Sequence, residues 1–312
     1  MSKGIRDWNK MLEVDLANAG SGFVNLHPNE NNLLITIPIF SWSGNQPFAL
    51  NLIHSYKAQT NWTNVFGTNT NISIGYSVSS LNYPTSMLLY EPDGFEDVFL
   101  WDSENNVFIS PSSKRRMQVL NYGGLMESYN IYDKTGAQLH IERNKKCFSY
   151  YLSNPKISPK GFSCTMNSYN NVETFSNEEG VSVVFDYTSQ IVTSIRVLKR
   201  NQFDVDINIF KVVLQYANGY INKVHYYRII NTNVEEFLFS SEYYRNTDGL
   251  LVICNKTAKH TQFYIADNQI TKVKTGYESN FKKLREITIS YGAFTSVTDQ
   301  KGRSSKYFFS TD

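Results

Sequence analysis

The 312 residues carry 30 basic and 28 acidic side chains for a net charge of +2, a balance that gives no field strong enough to draw nucleic acid or an anionic membrane surface. With 21 tyrosines, 20 phenylalanines and only 19% charged residues, the composition favours half-buried pleated sheet over solvated helix. The three cysteines, Cys147, Cys164 and Cys254, have neither the even count of a disulfide framework nor the C-x-x-C spacing of a zinc site.

In chain order, the stretch through about Asn18 has helical spacing at Ile5, Trp8, Met11, Leu12, Asp15 and Leu16, and "ANAGSG" ends it. It lacks the apolar core of a Sec signal peptide. No apolar run reaches the roughly 18 residues that a membrane-spanning helix needs. From Asn32 onward the pattern is strand and turn. "NLLITIPIFSW" and "PFALNLIHSY" predict two strands paired around "SGNQ", and "NISIGYSVSSLNY" alternates. "YNIYDKTGAQLHIER" predicts a hairpin in which Asp133 opens the turn, its carboxylate able to cap it, and Gly136 takes the position where φ > 0 is cheap. Beyond it Ala137, Leu139 and Ile141 alternate with Gln138, His140 and Glu142. In "FKVVLQYANGYINKVHYYRII", Asn218-Gly219 fits a type I′ turn and puts Phe210, Val212, Leu214 and Tyr216 on one face.

The turn device recurs. A turn-former, two residues and a glycine occur at Glu91 to Gly94, Asp133 to Gly136, Asn177 to Gly180, Asn246 to Gly249 and Asp299 to Gly302. Four of these units place a large apolar residue five positions after the glycine, namely Phe99, Ile141, Phe185 and Tyr307. The common offset predicts that the four anchors enter one layer. Spacing between units is irregular, so this is a degenerate repeat of units that each need a neighbour to cover their apolar face.

The segments "YDKTGAQLHIE", "NEEGVSVVFDY" and "VTDQKGRSSKYFF" resemble the tyrosine-aspartate (YD) repeats of RHS proteins, in which Tyr-Asp-x-x-Gly hairpins wind into a β-sheet shell. Upstream, "VNLHPNENNLLITIPIFSWSGNQPFALNLIHSY" and "FGTNTNISIGYSVSSLNYPTSMLLYEPDGFEDVFLWD" resemble the region that precedes those repeats. The resemblance implies an all-β, hairpin-rich curved sheet with one short N-terminal helix. It divides the chain into helix and linker (1–22), a β region like the one before the repeats (23–125) and degenerate repeats (126–312). Only Tyr132-Asp133 keeps the dipeptide before a glycine turn, and no segment matches the RHS self-cleavage site or an attached toxin domain.

No residue pattern points to catalysis, a cofactor or a metal. The five histidines, His27, His54, His140, His225 and His260, show no H-E-x-x-H or H-x-H spacing, and no nucleophile elbow, P-loop or dinucleotide fingerprint occurs. Carboxylates such as Glu91, Asp93, Asp97 and Asp102 gather around one hairpin, where side-chain to backbone bonding is their ordinary use. A glycosidase pair or an oxygen-ligated calcium site is the alternative there. In "HYYR" and "EYYR" adjacent tyrosines point to opposite faces, so at most one of each pair is open to a sugar. The sequons at Asn61, Asn71 and Asn255 mark surface loops only in a glycosylating host.

The sequence therefore predicts a non-enzymatic β-shell protein that encloses, displays or docks another polypeptide, in a setting that the resemblance places among toxin-delivery, surface or phage-particle assemblies. Its partner is a protein, a cargo or further chain of the same shell. A module binding surface glycan or a receptor is the alternative, and a glycan-active enzyme the second. The structural residues are Gly94, Asp133, Gly136, Gly180, Asn218, Gly219, Gly249, Asp299 and Gly302. The apolar strand "SSKYFF" offers Tyr307, Phe308 and Phe309 as an edge for a partner.

Overall fold

The structure is a computed structural model that describes residues 23–27, 32–43, 48–55, 63–142 and 163–307, less 74–75, 92–95, 125–126, 135, 137, 170, 232–233, 248, 256, 267–268, 278–281 and 291–294. The helix expected before Asn18 lies outside these residues. Every regular element within them is a strand, so the fold is all-β.

The first six strands are β1 (Phe23–His27), β2 (Asn32–Trp42), β3 (Phe48–Ser55), β4 (Thr63–Asn64), β5 (Gly67–Thr68) and β6 (Thr70–Ile72). The order β1-β2-β3-β6 makes a four-stranded sheet, and β4 pairs with β5. The predicted β2–β3 pair runs from Trp42↔Phe48 to Leu34↔Ser55, with a bulge between Pro38 and Phe40. Pro38 sits beyond the last β1 partner, Thr36, and beside the β2–β3 bulge, the kind of position where a sheet tolerates proline.

A seven-stranded meander follows, built from β7 (Ser77–Asn82), β8 (Ser86–Tyr90), β9 (Glu96–Asp102), β10 (Val107–Ile109), β11 (Arg116–Leu120), β12 (Ser128–Tyr132) and β13 (Gln138–Glu142). The boundary expected at 125/126 falls between β11 and β12, which are paired neighbours in this sheet.

Thirteen strands then add in strict sequence order to one sheet. They are β14 (Ser163–Met166), β15 (Val172–Ser176), β16 (Val181–Thr188), β17 (Ile191–Arg200), β18 (Asp206–Ala217), β19 (Tyr220–Asn231), β20 (Val234–Asn246), β21 (Gly249–Cys254), β22 (Lys259–Ala266), β23 (Gln269–Tyr277), β24 (Lys282–Ser290), β25 (Thr295–Asp299) and β26 (Ser304–Tyr307). Each consecutive pair needs only a local hairpin, which is why turn chemistry carries so much of this fold.

Directly opposed side chains build the core. Phe175 faces Val183, Val183 faces Val197, and Val197 faces Phe210. Farther along, Leu214 faces Val224, Tyr243 faces Val252, and Leu250 faces Phe263. The small N-terminal sheets cover this face. Phe66 meets Phe185 edge-on at 5.9 Å, Phe40 lies 6.2 Å from Phe210, and the Tyr226 hydroxyl donates to the Pro38 carbonyl at 2.9 Å. Met87, Phe99, Phe108, Met117 and Ile131 extend the same buried cluster into the seven-stranded sheet. Of the anchors, Phe99, Ile141 and Phe185 are buried in it; the side chain of Tyr307 lies outside the described residues. The fifth unit places Cys254 at the same offset, and it too is buried.

Candidate functional site

Most of the expected turn residues are described, and their geometry varies. Gly136, Gly180, Gly219 and Gly302 have φ between 73° and 83°, with Asn218 at 52°, the left-handed region that glycine enters without a Cβ penalty. The Gly136 and Gly302 amides donate to the Asp133 and Asp299 carbonyls at 3.1 and 2.9 Å. The Asp299 carboxylate also accepts from the Lys301 and Arg303 amides at 2.9 and 3.0 Å. Gly249 differs. It is the first residue of β21, opposite Asn246, with φ 140° and a neighbouring Phe263 carbonyl 2.2 Å from where a Cβ would stand. Gly94, Phe308 and Phe309 lie outside the described residues.

The Asn218-Gly219 turn is also a joint. The Thr68 amide donates to the Gly219 carbonyl at 2.7 Å, and a Cβ on Gly67 would stand 2.6 Å from that same carbonyl. Nearby, Arg245 on β20 reaches His54 on β3 at 2.6 Å while its guanidinium covers the Tyr220 ring at 3.9 Å. A guanidinium only donates, so His54 Nε2 accepts and the proton sits on Nδ1, 2.9 Å from the Thr70 hydroxyl. Burial first, and the Arg245 charge second, hold this imidazole at a pKa of about 3. His54 is therefore a neutral fastener between two sheets.

The carboxylates near Gly94 are fastened as well. Asp97 is not a turn residue but a β9 residue with 0% exposure. The hydroxyls of Ser110, Ser112 and Ser113 donate to it at 2.5, 2.9 and 2.6 Å. Arg115 lies 3.9 Å away and pairs with the buried Glu91 at 2.9 Å. Three hydroxyls occupy acceptor sites on Asp97 that a metal or a substrate would use, and the Arg115 guanidinium adds a nearby charge rather than a hydrogen bond. Asp102 caps its own turn through the Glu104 and Asn105 amides at 3.0 and 3.3 Å. Among the described residues no group of three or more His, Cys, Asp or Glu is placed to hold a metal ion.

Among the described residues, exposed apolar side chains occur on the seven-stranded sheet, as at Leu81, Leu100 and Trp101, and with the highest exposure at one end of the three longest strands, β18, β19 and β20. Phe203 is 74% exposed and Ile230 59%, with Val205, Ile207, Val234, Phe237 and Leu238 also exposed around them. The end is ordered by its own turn. Asn201 accepts through its side chain from the Phe203 and Val205 amides at 2.9 and 3.0 Å, and Asp204 holds φ 61° where the related turns use glycine. Ion pairs Lys211–Glu235 (2.9 Å) and Arg200–Asp206 (3.2 Å) flank it, and Phe237 packs against Tyr227 and His225. Sequence reasoning missed this end because alternation shows which residues share a face, not whether anything covers it. The second open feature is β26, the outermost strand of its sheet, paired only with β25 among the described residues and including Tyr307.

No family model matches the chain, and no curated protein matches it. Among solved structures, it is similar to a chain in the Photorhabdus luminescens Tc holotoxin pore carrying a TccC3 variant, at 10% identity over 85% of this chain and 16% of that one, with a TM-score of 0.34. It is also similar to a chain in the crystal structure of TcdB2-TccC3-TEV, at 8% identity over 86% of this chain and 20% of that one, with a TM-score of 0.22. Its structural neighbours are thus Tc toxin chains at low TM-score, of which it spans between about a sixth and a fifth of the length.

Proposed function

We propose that this chain is a non-enzymatic β-wall that docks another polypeptide through the open end of β18–β20. One observation carries the reading: seven apolar side chains, Phe203, Val205, Ile207, Ile230, Val234, Phe237 and Leu238, stand exposed at the tips of adjacent strands whose other ends are buried against the N-terminal sheets. Exposed apolar side chains gathered at neighbouring strand ends are characteristic of an interaction site, and Phe237 adds to them from the other face of the sheet, where it packs on Tyr227 and His225. The flanking ion pairs are charge-neutral within the arm, which favours a protein surface over an anionic membrane. Edge strand β26, which ends at Tyr307, offers a second contact by strand addition. The sequence resemblance to YD-repeat shells supports a setting in a toxin-delivery, surface or phage-particle assembly, where the partner is cargo or further shell.

The test mixes the purified chain with the proteins encoded beside it and follows complex formation by light scattering. A stoichiometric complex that Phe203→Asp and Ile230→Asp each weaken by tenfold or more, with folding intact, is the expected result. No complex with any of them, or complexes indifferent to both changes, would overturn the reading.

A further inference from the structure

A cleft of about 540 Å³ lies at the opposite side of the joint, between the Thr63–Phe66 turn, Asn71 on β6, the start of β15 and the Gln190–Ile191 corner of the β16–β17 hairpin. Its volume is in the range of small-molecule sites. The described lining holds four carboxamides, from Asn64, Asn71, Asn171 and Gln190, above an apolar floor of Val65, Phe66, Val172 and Ile191, and none of these residues is ionisable.

Two features set it apart from a packing defect. Asn171 is only 4% exposed, its backbone amide is held by the Asn167 side chain at 3.1 Å, yet its own carboxamide has no hydrogen-bond partner among the described residues. The second feature is the corner itself, where Ser189 and Gln190 hold φ of 51° and 66°. Both are L-residues in the region that hairpins normally give to Asn-Gly. The Val192 amide fastens this corner to the Val65 carbonyl at 2.8 Å, so the strained turn forms one wall of the cleft and presents the Gln190 amide at its rim. By contrast Asn64 and Asn71 are partly used, their side-chain oxygens accepting from the Phe66 and Ile72 amides at 2.8 and 2.9 Å.

We propose that this cleft binds one or two units of a neutral sugar chain. A carboxamide offers an acceptor and two donors in one plane, which suits vicinal hydroxyls, and several converging amides suit a polyol. The apolar floor suits the C–H face of a pyranose ring. Among the described lining residues none is charged, which disfavours phosphates, carboxylates and cations, whose desolvation these residues would not offset. A site for neutral sugar is independent of protein docking at the far end of the sheet, and either can fail without the other.

Ligand-detected NMR with methyl glycosides of glucose, galactose and N-acetylglucosamine, and with their neutral oligosaccharides, tests the assignment on the full chain. Saturation transfer to at least one neutral sugar is expected, with glucuronic and sialic acids excluded. Asn171→Leu should abolish the transfer. Gln190→Gly removes the rim amide while relieving the left-handed strain, so it should weaken binding by roughly 3–10-fold, the equivalent of one lost hydrogen bond, with the melting temperature unchanged or raised. That second variant keeps the test decisive if Asn171→Leu folds poorly. Transfer to none of the neutral sugars, equal transfer to the acidic ones, affinity untouched by Gln190→Gly, or displacement of the sugar by extended peptides added along β6 would each overturn the proposal.

Discussion

The two ends of β18, β19 and β20 are built from the same alternation and come to opposite fates. At one end Leu214, Val224 and Tyr226 are buried in one cluster with Ile37 and Leu52 of β2 and β3, with Asn218-Gly219 fitted against Gly67 and Arg245 against His54. At the other, Phe203, Ile207 and Ile230 repeat the apolar content and stay exposed among the described residues. The difference lies in the described N-terminal strands, whose contacts reach the Asn218-Gly219 end. A period-2 pattern thus fixes the faces of a strand, and a separate part of the chain decides which length of that face becomes core.

Breaking the buried end should cost most. Gly219→Val introduces a β-branched residue at φ 80° and a Cβ 2.9 Å from the Thr68 hydroxyl, and a loss of roughly 2–5 kcal/mol is expected in denaturant unfolding. Gly136→Val has the same φ problem with open space around it, so about 1–3 kcal/mol is expected there. Equal losses at the two sites would remove the joint from the account.

Acid probes the same end through His54. Its imidazole is held at about 3, below the ordinary 6.5, so the unfolded chain takes up a proton below pH 6.5 while the folded chain does not until near pH 3. Stability is therefore full above pH 6.5 and falls as the pH drops through that window. The expected loss between pH 7 and pH 5 is about 2 kcal/mol, a range in which the carboxylates remain ionised. His54→Gln should remove most of that slope, leaving the share of His225, whose imidazole is also lowered by burial and by Lys223. A slope unchanged by His54→Gln would show that the imidazole is not buried in the folded chain.

Smaller effects sharpen the contrast. Tyr226→Phe deletes the hydroxyl bond to the Pro38 carbonyl and should cost about 1 kcal/mol. At the open end, Phe203→Ser should change stability by less than about 0.5 kcal/mol, measured in the same unfolding experiment. A loss at Phe203 comparable to that at Tyr226 would mean that the far end is covered within the chain.

Much of the fold was legible because local chemistry decides it. Asn218-Gly219 announces a hairpin since both central residues need φ > 0, and the β2–β3 pair follows from two apolar runs around a short polar turn. The Asn201 to Val205 and Ser189-Gln190 corners were not legible, because Asp204, Ser189 and Gln190 hold left-handed backbone without a glycine to signal it. Asp97 read as one of several turn carboxylates. Its burial depends on three serine hydroxyls from 13 to 16 positions away, and no local pattern encodes that meeting. The His54–Arg245 contact spans 191 positions, and the Asn171 cleft joins four separate segments. Sites assembled at long range stay hidden in one sequence for the same reason that hairpins are plain in it.

The docking role of the open end is tested most directly by site-specific photo-crosslinking in the native host, with the crosslinker placed at Phe203 and, as a control, at Tyr169, which is 61% exposed against 74% for Phe203. The account predicts one defined polypeptide adduct at position 203, lost when Ile230→Asp is introduced, and none at position 169. No adduct at 203, or the same adducts at both positions, would contradict it.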